Sequence, residues 1–122
     1  MDEKQTVLFV CPHGAGKSRM AAAFFNHVAP RGWQATSAGI TPQDAVGVTA
    51  VRLLAGEDAE ASLDLAPPRP VSAVRSPGRI VAIDCNVPNG THWQLTHQEF
   101  ASPMRDELRH RAEALARELG ND

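Results

Sequence analysis

Eight residues near the start of the chain form its clearest chemical pattern. Small residues in this stretch let the backbone wrap closely, so that successive N–H groups point at one centre and bind an anion. A lysine adds a full positive charge, and a helix predicted to follow adds the partial positive charge of its N-terminus. This field favours the thiolate of the first residue, a nucleophile. The eight residues, called the cysteine loop, are Cys11, Pro12, His13, Gly14, Ala15, Gly16, Lys17 and Ser18.

Two predicted elements hold the cysteine loop. Residues 6–10 are a continuous apolar run, typical of a strand buried on both faces. Residues 19–28 have apolar side chains at helical spacing, with Ser18 as the predicted N-cap. A loop between a strand and a helix lies at the carboxyl end of a parallel sheet, where ligands of α/β proteins bind.

The rest of the chain continues the alternation of strands and helices, which predicts a parallel sheet. A helical turn is also predicted at residues 71–74, and Ser102 is the predicted N-cap of the last helix. Further strands are predicted at residues 33–37, 79–84 and 91–96, and further helices at residues 42–54 and 103–119.

Composition limits the class of protein. The 122 residues are 43% hydrophobic and 21% charged, which predicts one globular domain over residues 1–122. The net charge of −2 argues against a nucleic-acid-binding protein. No apolar run approaches the ~20 residues of a membrane helix, and the charged N-terminus does not resemble a signal peptide. We therefore expect a cytoplasmic protein without a membrane or nucleic-acid partner.

Two cysteines, Cys11 and Cys85, are too few for a zinc site without histidines, and no metal is predicted. In a reducing compartment a structural disulfide is not expected. One alternative reading concerns nucleotides, because Gly16-Lys17-Ser18 matches the end of a Walker A loop. The first glycine of that motif is replaced by Cys11, and Asp84 is the only residue nominated for its second acidic motif.

Residues 8–24 resemble the start of the low-molecular-weight protein tyrosine phosphatase and thiol-dependent arsenate reductase superfamily. The similarity is closest to the arsenate reductase branch, whose loops read roughly Cys-x-His-Asn-Ala-Gly-Arg-Ser-x-Met-Ala. The resemblance implies a three-layer α/β/α sandwich of flavodoxin-like winding, with a four-stranded parallel sheet in the order 2-1-3-4. Weaker similarities follow in the family's order at residues 37–39, 80–85, 93–95 and 105–111.

The resemblance also implies an enzyme that handles oxyanions. Cys11 would attack arsenate or a phosphate ester, the cysteine loop from Pro12 to Ser18 would hold its oxygens, and the Ser18 hydroxyl would donate to the thiolate. The expected partners are a small oxyanion or phosphate ester and a thiol or redoxin. No cofactor is implied beyond an external thiol reductant. Cys85 matches a position that resolves the arsenic–sulfur adduct, so a redox role is one reading and a core residue is the other.

The chain departs from the family pattern at its chemical centre. Lys17 stands where the family has an arginine, and Gly14 replaces a loop asparagine. His97 and Gln98 stand where the family has an Asp-Pro general acid, so His97 is the candidate acid, with Glu99 next. These departures leave open a binding module that holds phosphate or arsenate without turnover.

Overall fold

The computed structural model describes residues 4–121, and its four strands form one parallel sheet in the order β2-β1-β3-β4. This confirms the predicted sheet and its order. Because β1 and β3 are neighbours, the residues that follow their carboxyl ends lie side by side. The strands are β1 (Gln5–Cys11), β2 (Trp33–Gly39), β3 (Arg79–Ile83) and β4 (Thr91–Trp93), and the helices are α1 (Lys17–His27), α2 (Val48–Leu54) and α3 (Ser102–Gly120).

The two faces of the sheet are covered unequally. Side chains alternate along β1, so that Phe9 and Cys11 face the main core, to which all three helices contribute. Leu8 and Val10 face a smaller cluster, which is covered by loops and by the 3₁₀ helix Val71–Ala73 that the sequence predicts as a turn. The sandwich is therefore present, but its third layer is thin and contains no α-helix among the described residues.

The helix predicted at residues 42–54 is too long. Only Val48–Leu54 is helical, and residues 40–47 instead run beside the cysteine loop. Strand β3 ends at Ile83 because Asp84 has a φ of +53°, in the left-handed region. Strand β4 ends at Trp93, three residues before the predicted end.

Both predicted N-caps are displaced. The N-cap of α1 is Gly16, and Ser18 lies inside the first turn, where its hydroxyl contacts Cys11 instead of capping the helix. The N-cap of α3 is Ala101, and Ser102 is already helical. The predicted apolar stripe of α3, from Met104 to Leu119, is buried as expected. Among residues 4–121, no helix has the length and apolar character needed to span a membrane.

Candidate active site

The carbonyl groups of the cysteine loop are turned outwards and held there. Residues 40–47 run along the outside of the loop and donate four backbone N–H groups to these carbonyls. The C=O and N–H of a planar trans peptide point in opposite directions, so each outward carbonyl turns the next N–H inwards. The four hydrogen bonds are Ile40 to Cys11 (3.2 Å), Thr41 to Pro12 (2.8 Å), Gln43 to His13 (3.1 Å) and Gly47 to Ala15 (2.8 Å).

The inward N–H groups of the cysteine loop face one centre, as the N–H groups of an anion nest do. The Gly14 N–H points at the Cys11 Sγ atom, 3.3 Å away. Within residues 4–121, the neighbouring N–H groups have no protein acceptor, and they sit at the N-terminus of α1, where a partial positive charge collects. This arrangement suits a bound anion. The free donors are those of His13, Ala15, Gly16, Lys17 and Ser18.

Cys11 lies at the base of this nest. Its side chain is 3% exposed, and its Sγ atom is 3.0 Å from the Ser18 Oγ atom. Ser18 is itself fully buried, and its hydroxyl is also 3.4 Å from the carbonyl oxygen of Ala38. A hydroxyl and a backbone N–H that both face sulfur are the donors that a thiolate requires.

Two glycines allow the loop to pack against the end of β2. Gly14 has a φ of +68°, and a Cβ atom there would lie 2.8 Å from the Gly39 nitrogen. A Cβ atom on Gly39 would lie 2.5 Å from the carbonyl carbon of His13. The Ser37-Ala38-Gly39 motif therefore ends in glycine because the cysteine loop crosses β2 there.

A cleft of about 260 Å³ opens above Cys11. Its walls are the cysteine loop, Gln43 and Gly47, the start of α2, and Phe100. The Phe100 ring leans on Gly16, where a Cβ atom would be 2.8 Å from the ring. The cleft is large enough for a tetrahedral oxyanion with a substituent. His13 is exposed at its rim, with its Nδ1 atom 3.3 Å from the carbonyl oxygen of Thr41.

Lys17 lines the cleft, but its charge is already partnered. The Lys17 Nζ atom donates to the Asp84 Oδ2 atom at 2.7 Å, and both side chains are largely buried, with exposed fractions of 13% and 11%. The same ammonium lies 3.4 Å from the Gln98 Oε1 atom and 5.9 Å from the centre of the Phe100 ring. The structure therefore places Lys17 across the mouth of the cleft.

Asp84 is a site residue that the sequence points to only through the nucleotide reading. Its left-handed backbone turns the carboxylate back towards the cysteine loop, and Leu95 donates its N–H to the Oδ1 atom at 2.9 Å. Burial raises the pKa of the Asp84 carboxyl, but the hydrogen bonds from Lys17 and Leu95 outweigh it and hold the pKa below its ordinary value. Asp84 is thus an anion and not a proton donor at neutral pH.

Several solved structures superpose on the chain over most of its length. The arsenate reductase from Archaeoglobus fulgidus DSM 4304 is 29% identical, with a TM-score of 0.71, over 90% of this chain and 98% of that one. The thioredoxin-dependent arsenate reductase from Corynebacterium glutamicum is 23% identical, with a TM-score of 0.74, over 95% of this chain, which spans 62% of its length. A low-molecular-weight protein tyrosine phosphatase from T. tengcongensis is 16% identical, with a TM-score of 0.70, over 94% of this chain and 99% of that one.

The chain has the fold of the arsenate reductases and low-molecular-weight protein tyrosine phosphatases. The resemblance seen in the sequence is thereby confirmed at the level of the fold. No protein-family model and no curated protein matches the sequence.

On this arsenate reductase and phosphatase fold, the candidate acid lies away from the other site residues. His97 is exposed and does not line the cleft, and its backbone N–H is held by the Glu107 carboxylate at 2.9 Å. The neighbouring Gln98 is the residue that turns inwards, towards Lys17. Glu99, the second candidate, is exposed and also does not line the cleft.

Cys85 lies on the other face of the sheet from Cys11. It packs with the small cluster around Val10, and its Sγ atom is 3.5 Å from the Val10 carbonyl oxygen. Burial raises the pKa of the Cys85 thiol, and the nearby charge of Cys11 raises it further. Both cysteines are free.

Arg19 is a residue next to the cysteine loop whose placement sequence reasoning missed. It follows the cysteine loop directly, yet it is 1% exposed and points behind the loop, where its Nε atom donates to the Gly14 carbonyl oxygen at 3.3 Å. An arginine in the first turn of a helix ordinarily extends into solvent, so the sequence offers no signal for this burial.

Proposed function

We propose that this chain is an enzyme of oxyanion chemistry. The cysteine loop holds the oxygens of arsenate or of a phosphate ester, and the Cys11 thiolate attacks the central atom. One observation carries the proposal: a buried sulfur within hydrogen-bond distance of a hydroxyl and a backbone N–H lies beneath N–H groups that line a cleft and have no partner among the described residues. The similarity to solved arsenate reductases, one of them in a phosphate-binding state, supports the same class of ligand.

Arsenate is the better substrate for this site. An alkyl phosphate needs general acid catalysis, which typically contributes ~100- to 10,000-fold to the rate. Among the described residues no carboxyl group lines the cleft, Asp84 beside it is ionised, and the imidazole of His13 is exposed at the rim. Attack on arsenate forms the S–As bond and expels a hydroxyl group that leaves as water with a proton from solvent. No alcohol has to be protonated by the protein.

Reduction then requires a second thiol. Its attack on the Cys11 sulfur breaks the S–As bond, and the electron pair remains on arsenic, which leaves as arsenite. The product is a disulfide between Cys11 and the attacking thiol, which a further thiol reduces. Because Cys85 lies on the opposite face of the sheet, the attacking thiol in this proposal is external: a small thiol or a redoxin.

The test is arsenite production from arsenate by the purified full chain with dithiothreitol or a redoxin as reductant. We expect Cys11→Ser to abolish production and Cys85→Ser, the matched control, to retain it. Equal rates for the wild type and Cys11→Ser would refute the proposal. Loss of activity in Cys85→Ser alone would mean that Cys85, and not an external thiol, attacks the Cys11 sulfur.

Aryl phosphates should be hydrolysed at rates that depend steeply on the pKa of the leaving group. His97→Ala should not change that dependence.

A second candidate function is favoured by the Lys17–Asp84 ion pair. An ammonium that is held by a carboxylate at 2.7 Å offers a bound dianion little extra charge as the reaction proceeds. A module that binds phosphate or arsenate without turnover would keep the nest and tolerate this pair. Calorimetry with inorganic phosphate, combined with the arsenite assay, separates the two functions, since the module shows binding and no Cys11-dependent product.

A further inference from the structure

The cysteine loop gains no net positive charge from the mouth of the cleft, because the charges of Lys17 and Asp84 cancel there. Behind the loop, two arginines face a single carboxylate: Arg69 donates to Asp64 at 2.8 Å, and Arg19 lies 3.9 Å from the same side chain. The group behind the loop therefore carries a net charge of about +1, because opposite unit charges cancel in pairs.

Arg19 is deeply buried and hydrogen-bonded to the protein backbone. Its side chain has no exposed surface, and its Nη1 atom donates to the carbonyl oxygens of Asp64 and of Ala66, the latter at 2.6 Å. Its Nη2 atom has no partner among residues 4–121. A buried charge is tolerated only when it is paired or hydrogen-bonded, and these contacts fix the guanidinium without neutralising it fully.

Each backbone carbonyl from Cys11 to Gly16 accepts a hydrogen bond from outside the loop or from the first turn of α1. Backbone N–H groups hold the carbonyls of Cys11, Pro12, His13, Ala15 and Gly16, the last through Met20 in the first turn of α1. The Gly14 carbonyl is the exception, and the Arg19 Nε atom holds it. Because that carbonyl points outwards to Arg19, the Ala15 N–H of the same peptide points inwards to the anion centre.

The charge of Arg19 also reaches the nucleophile. Burial lowers the pKa of the Arg19 guanidinium, while the Asp64 carboxylate raises it, Arg69 lowers it and the Cys11 thiolate raises it. The Coulombic attraction between the guanidinium and the Cys11 sulfur is mutual. A positive charge that is buried in the protein is screened little by salt.

We propose that Arg19 is the positioning residue of this anion site. It fixes the Gly14–Ala15 peptide with its N–H inwards, and it supplies from behind the loop the positive charge that Lys17 gives to Asp84. The inference rests on the proposed function, because it names how that same site holds an oxyanion. Arg19 itself does not touch the ligand.

Two readouts test the proposal on the full chain. One is the dissociation constant of inorganic phosphate by calorimetry, and the other is the rate of Cys11 alkylation by iodoacetamide against pH, followed on the Cys11 peptide by mass spectrometry. The second needs no turnover. The charged or titratable groups around Cys11 that set this profile are His13, Lys17, Arg19, Asp64, Arg69, Asp84 and Cys85.

Arg19→Met keeps apolar bulk and removes the charge. We expect phosphate binding about tenfold weaker and Cys11 alkylation at pH 7 several-fold slower, since a charge-assisted contact contributes on that order. Arg19→Lys should recover part of both losses. Asp64→Asn, which removes the opposing carboxylate, should change both readouts in the opposite direction. The control is Arg79→Met, which removes a half-buried arginine at the other end of β3.

If Arg19 only stabilises the fold, different results are expected. Arg19→Lys would then recover neither phosphate binding nor the alkylation rate, and Asp64→Asn would weaken phosphate binding. Either result overturns the proposal. If Arg19→Met does not fold, Asp64→Asn still decides it, because its expected change is measured against the wild type. If the wild type binds no phosphate and Cys11→Ser makes no difference to arsenite, the proposed function fails. The alkylation profile then decides alone whether Arg19 acts on Cys11.

Discussion

The residue type at position 17 changes how much positive charge the site offers to a bound anion. An arginine at position 17 would present a planar fork to a tetrahedral oxyanion, whereas a lysine is a flexible point charge. The ammonium of Lys17 turns to the Asp84 carboxylate at 2.7 Å, where it also meets Gln98 and the Phe100 ring. A bound anion must therefore compete with Asp84 for the same charge.

The substitution Asp84→Asn isolates this competition. Asparagine tolerates the left-handed backbone at this position and keeps an oxygen for the Leu95 N–H, so only the charge is lost. We expect the freed Lys17 to tighten phosphate binding about three- to tenfold, or about 0.6–1.4 kcal/mol. Calorimetry with inorganic phosphate measures the change. Unchanged or weaker binding would mean that Asp84 orients Lys17 and does not compete for it.

At the scale of elements, the site depends on the segment that runs along the cysteine loop. Residues 42–47 are predicted to be helical, but the segment 40–47 instead donates backbone N–H groups to the loop carbonyls. The same crossing brings Gly14 and Gly39 into backbone contact. The carboxyl end of β2 is therefore as much a part of the site as the carboxyl end of β1.

A methyl group at Gly39 tests this crossing. Its Cβ atom would lie 2.5 Å from the His13 carbonyl carbon, so Gly39→Ala must push the loop away, at a cost of about 1–3 kcal/mol for overpacking. We expect phosphate binding to be lost together with stability. The control is Gly56→Ala, which adds only the strain of a φ of +81° with no atom within 4 Å, about 1–2 kcal/mol.

Chemical denaturation and phosphate calorimetry on both variants give the comparison. Gly56→Ala should unfold earlier in urea and bind phosphate as the wild type does. A Gly39→Ala protein that binds phosphate normally would show that the loop geometry does not depend on its contact with β2.

At the scale of the whole molecule, three hydrogen-bonded carboxyls, of which Asp64 is exposed and Asp84 and Glu107 are half-buried, make folding sensitive to acid. For each, burial raises the pKa, but hydrogen bonds outweigh it: Asp64 accepts from Arg69, Asp84 from Lys17 and Glu107 from the Thr96 N–H. The pKa values of these three groups are therefore lower in the folded protein than in the unfolded chain. The unfolded chain takes up protons first as the pH falls.

The stability that these carboxyls contribute is fully present above their unfolded pKa values, about 4. It is lost as the pH falls through the lower folded values. We expect the free energy of unfolding in urea to change little between pH 7 and pH 5 and to fall steeply below about pH 4. Glu107→Gln should be less stable at pH 7 and show a shallower fall. A wild-type stability that stays constant down to pH 2.5 would contradict this account.

The amino-acid sequence alone determined the parallel sheet and the loop between its first strand and the first helix. Apolar strands, glycines after β1 and a helix with a regular apolar stripe are patterns of neighbouring residues. Such local patterns can be recognised without knowing how the elements pack together. The family resemblance added the order of strands, which periodicity alone leaves open.

Only the tertiary structure decided where the charges go. Arg19 and Asp84 are 65 positions apart in the sequence, and their partners come from other parts of the chain. Arg19 contacts Gly14, Asp64 and Ala66, whereas Asp84 contacts Lys17 and Leu95. Burial makes each of these contacts strong, and burial depends on how the elements pack together. The sequence therefore predicts a site for an anion, and the packing determines which residue supplies the charge that holds it.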